Sequence, residues 1–221
     1  MNTQKLKAAE RAFFDRYPGG FSNPEMIAIR KHHKLERMVE LAQESFGTRN
    51  FRYPDLIVEN MAKIISRSSL ISMFEKPKFR DFTSSLPPLE RQDLARGLEE
   101  LLHGNEQTGF EIMVAILRAW KLAKWSLMTV CQAYYRPQVE VFVKPTTAKG
   151  IIQTFELEDL QYKPSPTWDF YKKYRTAINE MKTKVDPSLS SYNIAFTGFL
   201  MRSIQGQYGE TMVEEALRTN N

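Results

Sequence analysis

The sequence predicts a mainly α-helical protein that forms a single domain, with one short β element near residues 127–143. Apolar residues recur three and four positions apart along most of the chain, which is the period of an amphipathic helix. The segments between these stretches are short and rich in Pro, Gly, Asn and Asp, as in antiparallel helical packing. We therefore expect about nine to eleven helices, and 221 residues are enough for a sizeable core.

Helix-start signals divide the first half of the chain. Asn23 precedes Pro24 and Glu25, which gives a capping side chain, a proline at the first helical position and an acid near the positive end of the helix dipole. The polar run from Arg30 to Lys34 is where a long helix would break. The predicted helices span residues 3–17, 23–46, 53–74 with an interruption at 66–69, a short helix from 76, and 87–104.

The second half contains the only strand-like stretch. Residues 127–135 suit a strand as well as a helix, and the β-branched run Val139–Val143 after Pro137 predicts a strand, so the two would pair as a small hairpin. A predicted helix at 110–120 precedes this stretch. Predicted helices follow it from Thr146 or Thr147 to about 157, at 168–184 behind a Thr167 cap, at 186–204, and after Gly209. No linker-like composition occurs, so we favour one domain over residues 1–221; the alternative divides the chain into 1–104 and 105–221.

Composition excludes several classes of protein. The single cysteine, Cys131, rules out an internal disulfide and a multi-cysteine zinc site, and its apolar surroundings predict an inert buried thiol. No stretch has the length and apolarity of a signal peptide or of a membrane span. These features predict a cytoplasmic protein of bacterial type that does not enter a membrane.

No motif predicts a metal site, a cofactor or a catalytic residue. His32 and Glu36 have the spacing of two ligands on one helix face, but a stable metal site needs three or four. Asp55, Glu59 and Lys63 lie four apart, which is typical of a solvated helix face rather than of a nuclease. The chain also lacks the glycine-rich loops that bind nucleotides. The sequence therefore favours a protein that is not an enzyme, without deciding the question, and it predicts neither a metal nor a cofactor.

Positive charge and aromatic rings are concentrated in one part of the chain. The net charge is +5, and residues 118–149 carry all of this excess, which suits an acidic partner. We therefore predict a non-enzymatic module that binds nucleic acid or another polyanion. The predicted anion contacts are Lys144, Lys149, Lys172 and Arg175, together with the backbone at the helix start Thr146–Thr147; the predicted stacking rings are Tyr134, Tyr135 and Trp168.

The sequence leaves three alternatives open. In the first, the rings belong to the core and the lysines only keep the surface solvated. In the second, the protein is an interaction partner, an accessory subunit or a homo-oligomer, with exposed apolar residues such as Met26, Met38 and Phe79, or the last helix, at its interface. An enzyme comes third, and it would need a deep pocket that brings together Glu140, Lys144, Tyr134 and His103.

The segment that begins Val141-Phe142-Val143-Lys144-Pro145-Thr146-Thr147 and continues to Pro166-x-Trp168-x-x-Tyr171 resembles one in bacterial proteins of no assigned activity. The likeness covers about 35 residues of this chain. It implies a recurring structural unit and brings no catalytic residue with it.

Overall fold

The computed structural model describes residues 1–205, and in that range all regular structure is helical. The predicted mainly α fold class is confirmed. The α-helices are α1 Thr3–Arg16, α2 Pro24–His33, α3 Leu35–Ser45, α4 Pro54–Arg67, α5 Glu75–Ser85, α6 Pro88–His103, α7 Glu106–Ala119, α8 Trp125–Tyr135, α9 Pro145–Thr154, α10 Trp168–Lys182 and α11 Asn193–Gln205. The helix predicted after Gly209 lies outside the described residues.

Side-chain caps mark the starts of α2 and α7; α2 begins where the sequence predicts, whereas α7 begins at Glu106, before the predicted start at residue 110. The Asn23 side chain accepts a hydrogen bond from the Glu25 backbone N–H at 3.0 Å, and Pro24 is the first residue of α2. Asn105 caps α7 in the same way, through the Thr108 N–H at 2.9 Å. These side chains satisfy backbone donors that have no partner within the helix.

The helix predicted over residues 23–46 is two helices. Lys34 has a φ of 48°, a left-handed conformation that ends α2 and allows α3 to leave in a new direction. His32 and Glu36 consequently lie on different helices, so they do not share the helix face that their spacing predicts. A similar division separates the helix predicted over 186–204, because Asp186 caps only a short 3₁₀ helix, Pro187–Leu189, before α11 begins.

Helix α8 is the centre of the molecule. Every residue from Leu127 to Tyr134 is buried, so the helix is surrounded by neighbours on all sides. A helix buried in this way carries no amphipathic period, which explains why its sequence suits a strand equally well. The strand alternative for residues 127–135 is wrong.

The Val139–Val143 segment begins in a turn and does not pair with a strand in residues 1–205, so the predicted hairpin is wrong. The Val139 and Glu140 N–H groups donate to the Arg136 carbonyl, whereas those of Val141 and Val143 bond to helix side chains. The Val141 N–H donates to Tyr171 Oη at 3.2 Å, and the Val143 N–H donates to Thr129 Oγ1 at 3.0 Å. The β-branched residues Val141 and Val143 therefore lie in irregular chain between helices, and their N–H groups are satisfied by side chains rather than by a neighbouring strand.

One hydrophobic cluster extends from Leu6 to Leu200. It crosses the Gly104–Asn105 position without interruption, since α6 and α7 pack along each other on either side of it. Gly109 permits this close approach: a Cβ there would lie 2.5 Å from the Gly97 carbonyl oxygen and would also overlap the Leu101 backbone nitrogen. No helix within residues 1–205 combines the length and the apolar character that a membrane span requires.

Gly109→Ala is expected to destabilise the protein by about 3 kcal/mol or more, because the added methyl group meets rigid backbone between α6 and α7. Gly198→Ala is the matched control. Gly198 lies within α11, and a Cβ there meets no atom of the described residues within 4 Å, so the substitution should stabilise the helix by about 0.5–1 kcal/mol. Urea unfolding of both variants measures the difference, and equal effects would contradict this description of the α6–α7 contact.

Candidate functional site

A buried carboxylate, Glu140, organises the region that the sequence singles out. Its side chain has no solvent-accessible surface. It accepts hydrogen bonds from Arg175 Nη1 at 2.8 Å and from Tyr171 Oη at 2.7 Å, and Arg136 Nη2 lies 2.6 Å from its Oε1. A buried carboxylate is tolerated only when it is paired and hydrogen-bonded in this way.

Glu106 completes this cluster from the start of α7. Its two carboxylate oxygens accept from both Arg136 and Arg175, at 2.9 Å and 2.7 Å. Burial alone would raise the pKa of Glu106, but the hydrogen bond and charge of Arg175, with those of Arg136, hold it below its ordinary value. Burial and the neighbouring Glu140 charge raise the pKa of Tyr171 well above its ordinary value.

Two of the predicted site residues, Arg175 and Trp168, lie in or against this cluster. Arg175 is only 14% exposed, bonds to two carboxylates and lies over the rings of Trp168 and Tyr171 at 5.5 and 5.6 Å. Its guanidinium is therefore not free for a phosphate, and the prediction of Arg175 as an anion contact is wrong. Trp168 is half-buried against Phe110 and Arg175.

The other predicted stacking rings are also packed within the protein. Tyr134 is 1% exposed and its hydroxyl lies 2.9 Å from Ser68 Oγ, so it cannot stack on a base, and that prediction is wrong. Burial raises the pKa of Tyr134 to about 12. Tyr135 is half-buried between the rings of Phe46 and His103. For these rings the alternative that they belong to the core describes the structure better.

Beyond Glu140 the chain reaches a pocket, where Phe142 and Lys144 form part of the wall. The rest of the wall comes from α2, from Thr147 on α9, from the loop at Ser69 and from α11. The cavity measures about 190 Å³ and its lining is mostly apolar. It is the place where the described residues combine concave apolar surface with unshielded positive charge.

Four basic side chains line this pocket, and no carboxylate does so among the residues described. They are Arg30, His33, Lys144 and Arg202. Arg30 is paired with Glu36, whereas Lys144 and Arg202 have no ion-pair partner within residues 1–205. Arg202 Nη1 lies 3.5 Å from the Tyr17 hydroxyl.

His33 connects these charges to the loop before α5. Its Nδ1 lies 2.7 Å from Ser69 Oγ. Burial, followed by the charges of His32, Arg202 and Lys144, lowers the pKa of His33. The lowered pKa favours the neutral ring, so His33 contributes a polar contact to the pocket more than a charge.

The predicted basic residues are distributed differently from the expectation. Lys144 and Thr147 reach the pocket, but Lys149 lies over the Tyr162 ring at 5.0 Å and Lys172 is exposed on α10 outside the pocket lining. Helix α9 begins at Pro145 with Lys144 as its cap residue, and neither Thr146 nor Thr147 caps it. Proline is well suited to the first helical position, since its fixed φ fits a helix and it has no N–H to leave unpaired there.

Sequence reasoning missed Arg30, His33, Arg202 and Gly198 as pocket residues. The run Arg30 to Lys34 was visible only as a polar helix middle, because a charged run most often marks a solvated face. Arg202 gave no signal at all, since it is one basic residue at the end of an amphipathic helix. Only the tertiary structure brings these side chains, from α2 and α11, to the pocket that Lys144 also lines.

The geometry gives no support to a metal centre or to the enzyme alternative. No group of three or more His, Cys, Asp or Glu residues that could hold a metal occurs in the described part of the chain. The side chains of Glu140, Tyr134 and His103 bond to Arg175, to Ser68 and to the Phe46 carbonyl, so only Lys144 of the four reaches the pocket. Burial raises the pKa of the Cys131 thiol to about 12, which fits the predicted inert thiol.

Comparison with known proteins does not add a family to this description. No family model matches the chain, and no similar protein was found among curated proteins or among solved structures. The likeness of the Val141–Thr147 segment to bacterial proteins therefore stays a prediction. Fold and site define an all-helical domain with a basic, mainly apolar pocket.

Glu140→Gln is expected to destabilise the protein by roughly 3–5 kcal/mol, because it leaves two guanidinium groups facing a neutral amide in a buried site. Glu106→Gln is the matched control: the same chemical change at a 29% exposed position should cost about 1 kcal/mol. Urea unfolding at pH 7 compares the two, and an equal cost would show that burial of Glu140 does not set the strength of the cluster.

Proposed function

We propose that this protein is a non-enzymatic binding module for an anionic ligand, and that the ligand is held at the pocket beside Lys144. The observation that carries the proposal is the charge of the lining: Lys144 and Arg202 contribute positive charges that have no ion-pair partner within residues 1–205, and no carboxylate in that range lines the pocket. Arg30, which is paired with Glu36, and the polar ring of His33 belong to the same lining. Positive groups at a concave apolar surface attract an anion more strongly than the same groups on an open surface, because the nearby apolar walls reduce solvent screening.

The sequence favours nucleic acid or another polyanion as the anionic ligand. It would use the exposed Lys149 and Lys172 in addition to the pocket. The geometry favours a small anion instead, because Tyr134 and Arg175 are committed to internal contacts and the basic groups converge on one pocket. Proteins that bind single strands usually present free rings along a basic groove.

The test is calorimetric titration of pyrophosphate at about 20 and 200 mM salt, alongside anisotropy titration of labelled DNA and RNA strands. Pyrophosphate should bind, and binding should weaken at the higher salt. Lys144→Glu should weaken it by about tenfold or more, the factor that corresponds to one lost charged hydrogen bond. Lys78→Glu is the control, because it makes the same change in net charge at an exposed residue outside the pocket lining.

Absence of pyrophosphate binding at low salt would contradict the proposal, as would equal losses in Lys144→Glu and Lys78→Glu. Salt-dependent binding of DNA or RNA that Lys144→Glu abolishes would extend the proposal to polyanions.

A protein-interaction role is the second candidate, and one feature favours it. Met26, Met38 and Phe79, the interface residues suggested by sequence, are buried. The adjacent residues Met73 and Phe74 are instead 78% and 83% exposed, at the start of α5. Neighbouring large apolar side chains that remain this exposed are typical of a contact surface.

If a second copy of the chain covers Met73 and Phe74, light scattering after size exclusion should show a dimer. The Met73→Ser/Phe74→Ser variant should then shift the protein to a monomer, because it removes most of the apolar area in the contact. Leu89→Ser is the control, since Leu89 is 74% exposed elsewhere in the molecule. A monomer at high protein concentration would contradict this candidate.

A further inference from the structure

The apolar residues that line the pocket are buried or half-buried, whereas two charged residues of the lining are exposed to solvent. Phe142, Phe199 and Met26 are buried and form its floor. Lys144 and Arg30 are exposed, and Arg202 is half-buried; these cations form the charged rim of the pocket, where Arg30 is already paired with Glu36. A ligand that satisfies both parts has an apolar body and a negatively charged end, because an inorganic anion would leave the floor unfilled and an uncharged apolar molecule would leave the cations unpaired.

Gly198 adds a second, independent observation. It lies within α11 and lines the pocket, and a Cβ built on it meets no atom of residues 1–205 within 4 Å. Glycine inside a helix is unfavourable relative to alanine, and nothing in the packing of the described residues requires it at this position. The space above the Gly198 backbone is therefore free for the body of a ligand to lie against the helix.

The size of the cavity limits the shape of that body. At about 190 Å³ it is smaller than the roughly 300–1,000 Å³ of pockets that hold drug-sized ring systems. This volume favours a narrow ligand body over a nucleoside or a fused-ring compound. A single unbranched chain fits, since it is narrow and can take up the bends of the wall.

We propose that the ligand is an amphipathic anion with one medium-length alkyl chain, its carboxylate or phosphate at Lys144 and Arg202 and its chain over Phe142 and Gly198. This inference rests on the proposed function, because it assigns a chemical class to the anion bound at the same rim. Each methylene group that enters the floor should tighten binding by about fourfold.

The wild-type protein tests the proposal without any substitution. Calorimetric titration with butanoate, hexanoate, octanoate and decanoate at constant ionic strength should give dissociation constants that fall by about fourfold per methylene and level off once the chain outgrows the cavity. Octanol is the uncharged control and should bind at least about tenfold more weakly than octanoate. Octyl phosphate, compared with octanoate, identifies the preferred charged end.

Two substitutions separate the roles of rim and floor. Lys144→Glu should weaken every anion of the series by a similar factor and leave the gain per methylene unchanged. Gly198→Leu should place a side chain in the cavity and abolish that gain, while Gly198→Ala, which adds one methyl group, should reduce it only in part. Circular dichroism and the unfolding midpoint of each variant show whether the fold is retained.

The outcomes distinguish this inference from the function on which it rests. If octanoate binds no more tightly than butanoate while pyrophosphate still binds in a salt-dependent way, the inference is overturned and anion binding stands. Octanol binding as tightly as octanoate also overturns it, because the charged rim would then have no role. If octanoate binds but neither Lys144→Glu nor Gly198→Leu changes its affinity, the ligand lies elsewhere and the assignment is overturned. If no anion binds, both proposals are overturned.

Discussion

The buried carboxylate of Glu140 is the constraint on which the second half of the structure depends. Removing a carboxylate from water costs several kcal/mol, and here two guanidinium groups and one phenol hydroxyl offset that cost. These partners come from the end of α8 and from α10, so one charged group fixes the relative positions of two helices and the chain between them. Arg175 is held in turn by Glu106, which ties α7 to the same cluster.

Much of the fold follows from local signals, while its exceptions follow from tertiary contacts. Asn23 and Pro24 define the start of α2 by side-chain capping and steric preference, which act within a few residues. The left-handed Lys34 is not visible in the same way, because lysine rarely adopts that conformation without a packing reason. Val139–Val143 has the composition of a strand, but a strand needs a partner that this helical protein does not supply in residues 1–205.

The candidate site was predictable only in part, and the reason is the distance along the chain between its members. Lys144 stands out because it follows the most distinctive segment of the sequence. Arg30, His33 and Arg202 reach it from helices that lie more than 50 residues away in either direction along the chain. The basic and aromatic residues near Lys144 suggested a stacking surface, yet Arg175 and Tyr134 are used to hold the fold together.

The short segment from Glu140 to Lys144 connects the buried charged cluster to the wall of the pocket. Glu140 anchors this chain in the charged cluster, Val141 and Val143 bond to Tyr171 and Thr129, and Phe142 and Lys144 reach the pocket. Because the segment has no strand partner within residues 1–205, its position depends on those side-chain contacts and on the burial of Val141, Phe142 and Val143 in the core. Loss of the Glu140 cluster therefore moves the pocket wall as well as lowering stability, whereas Lys144 and Gly198 take no part in the cluster. Changes at those two positions test binding without disturbing the contacts that hold the fold.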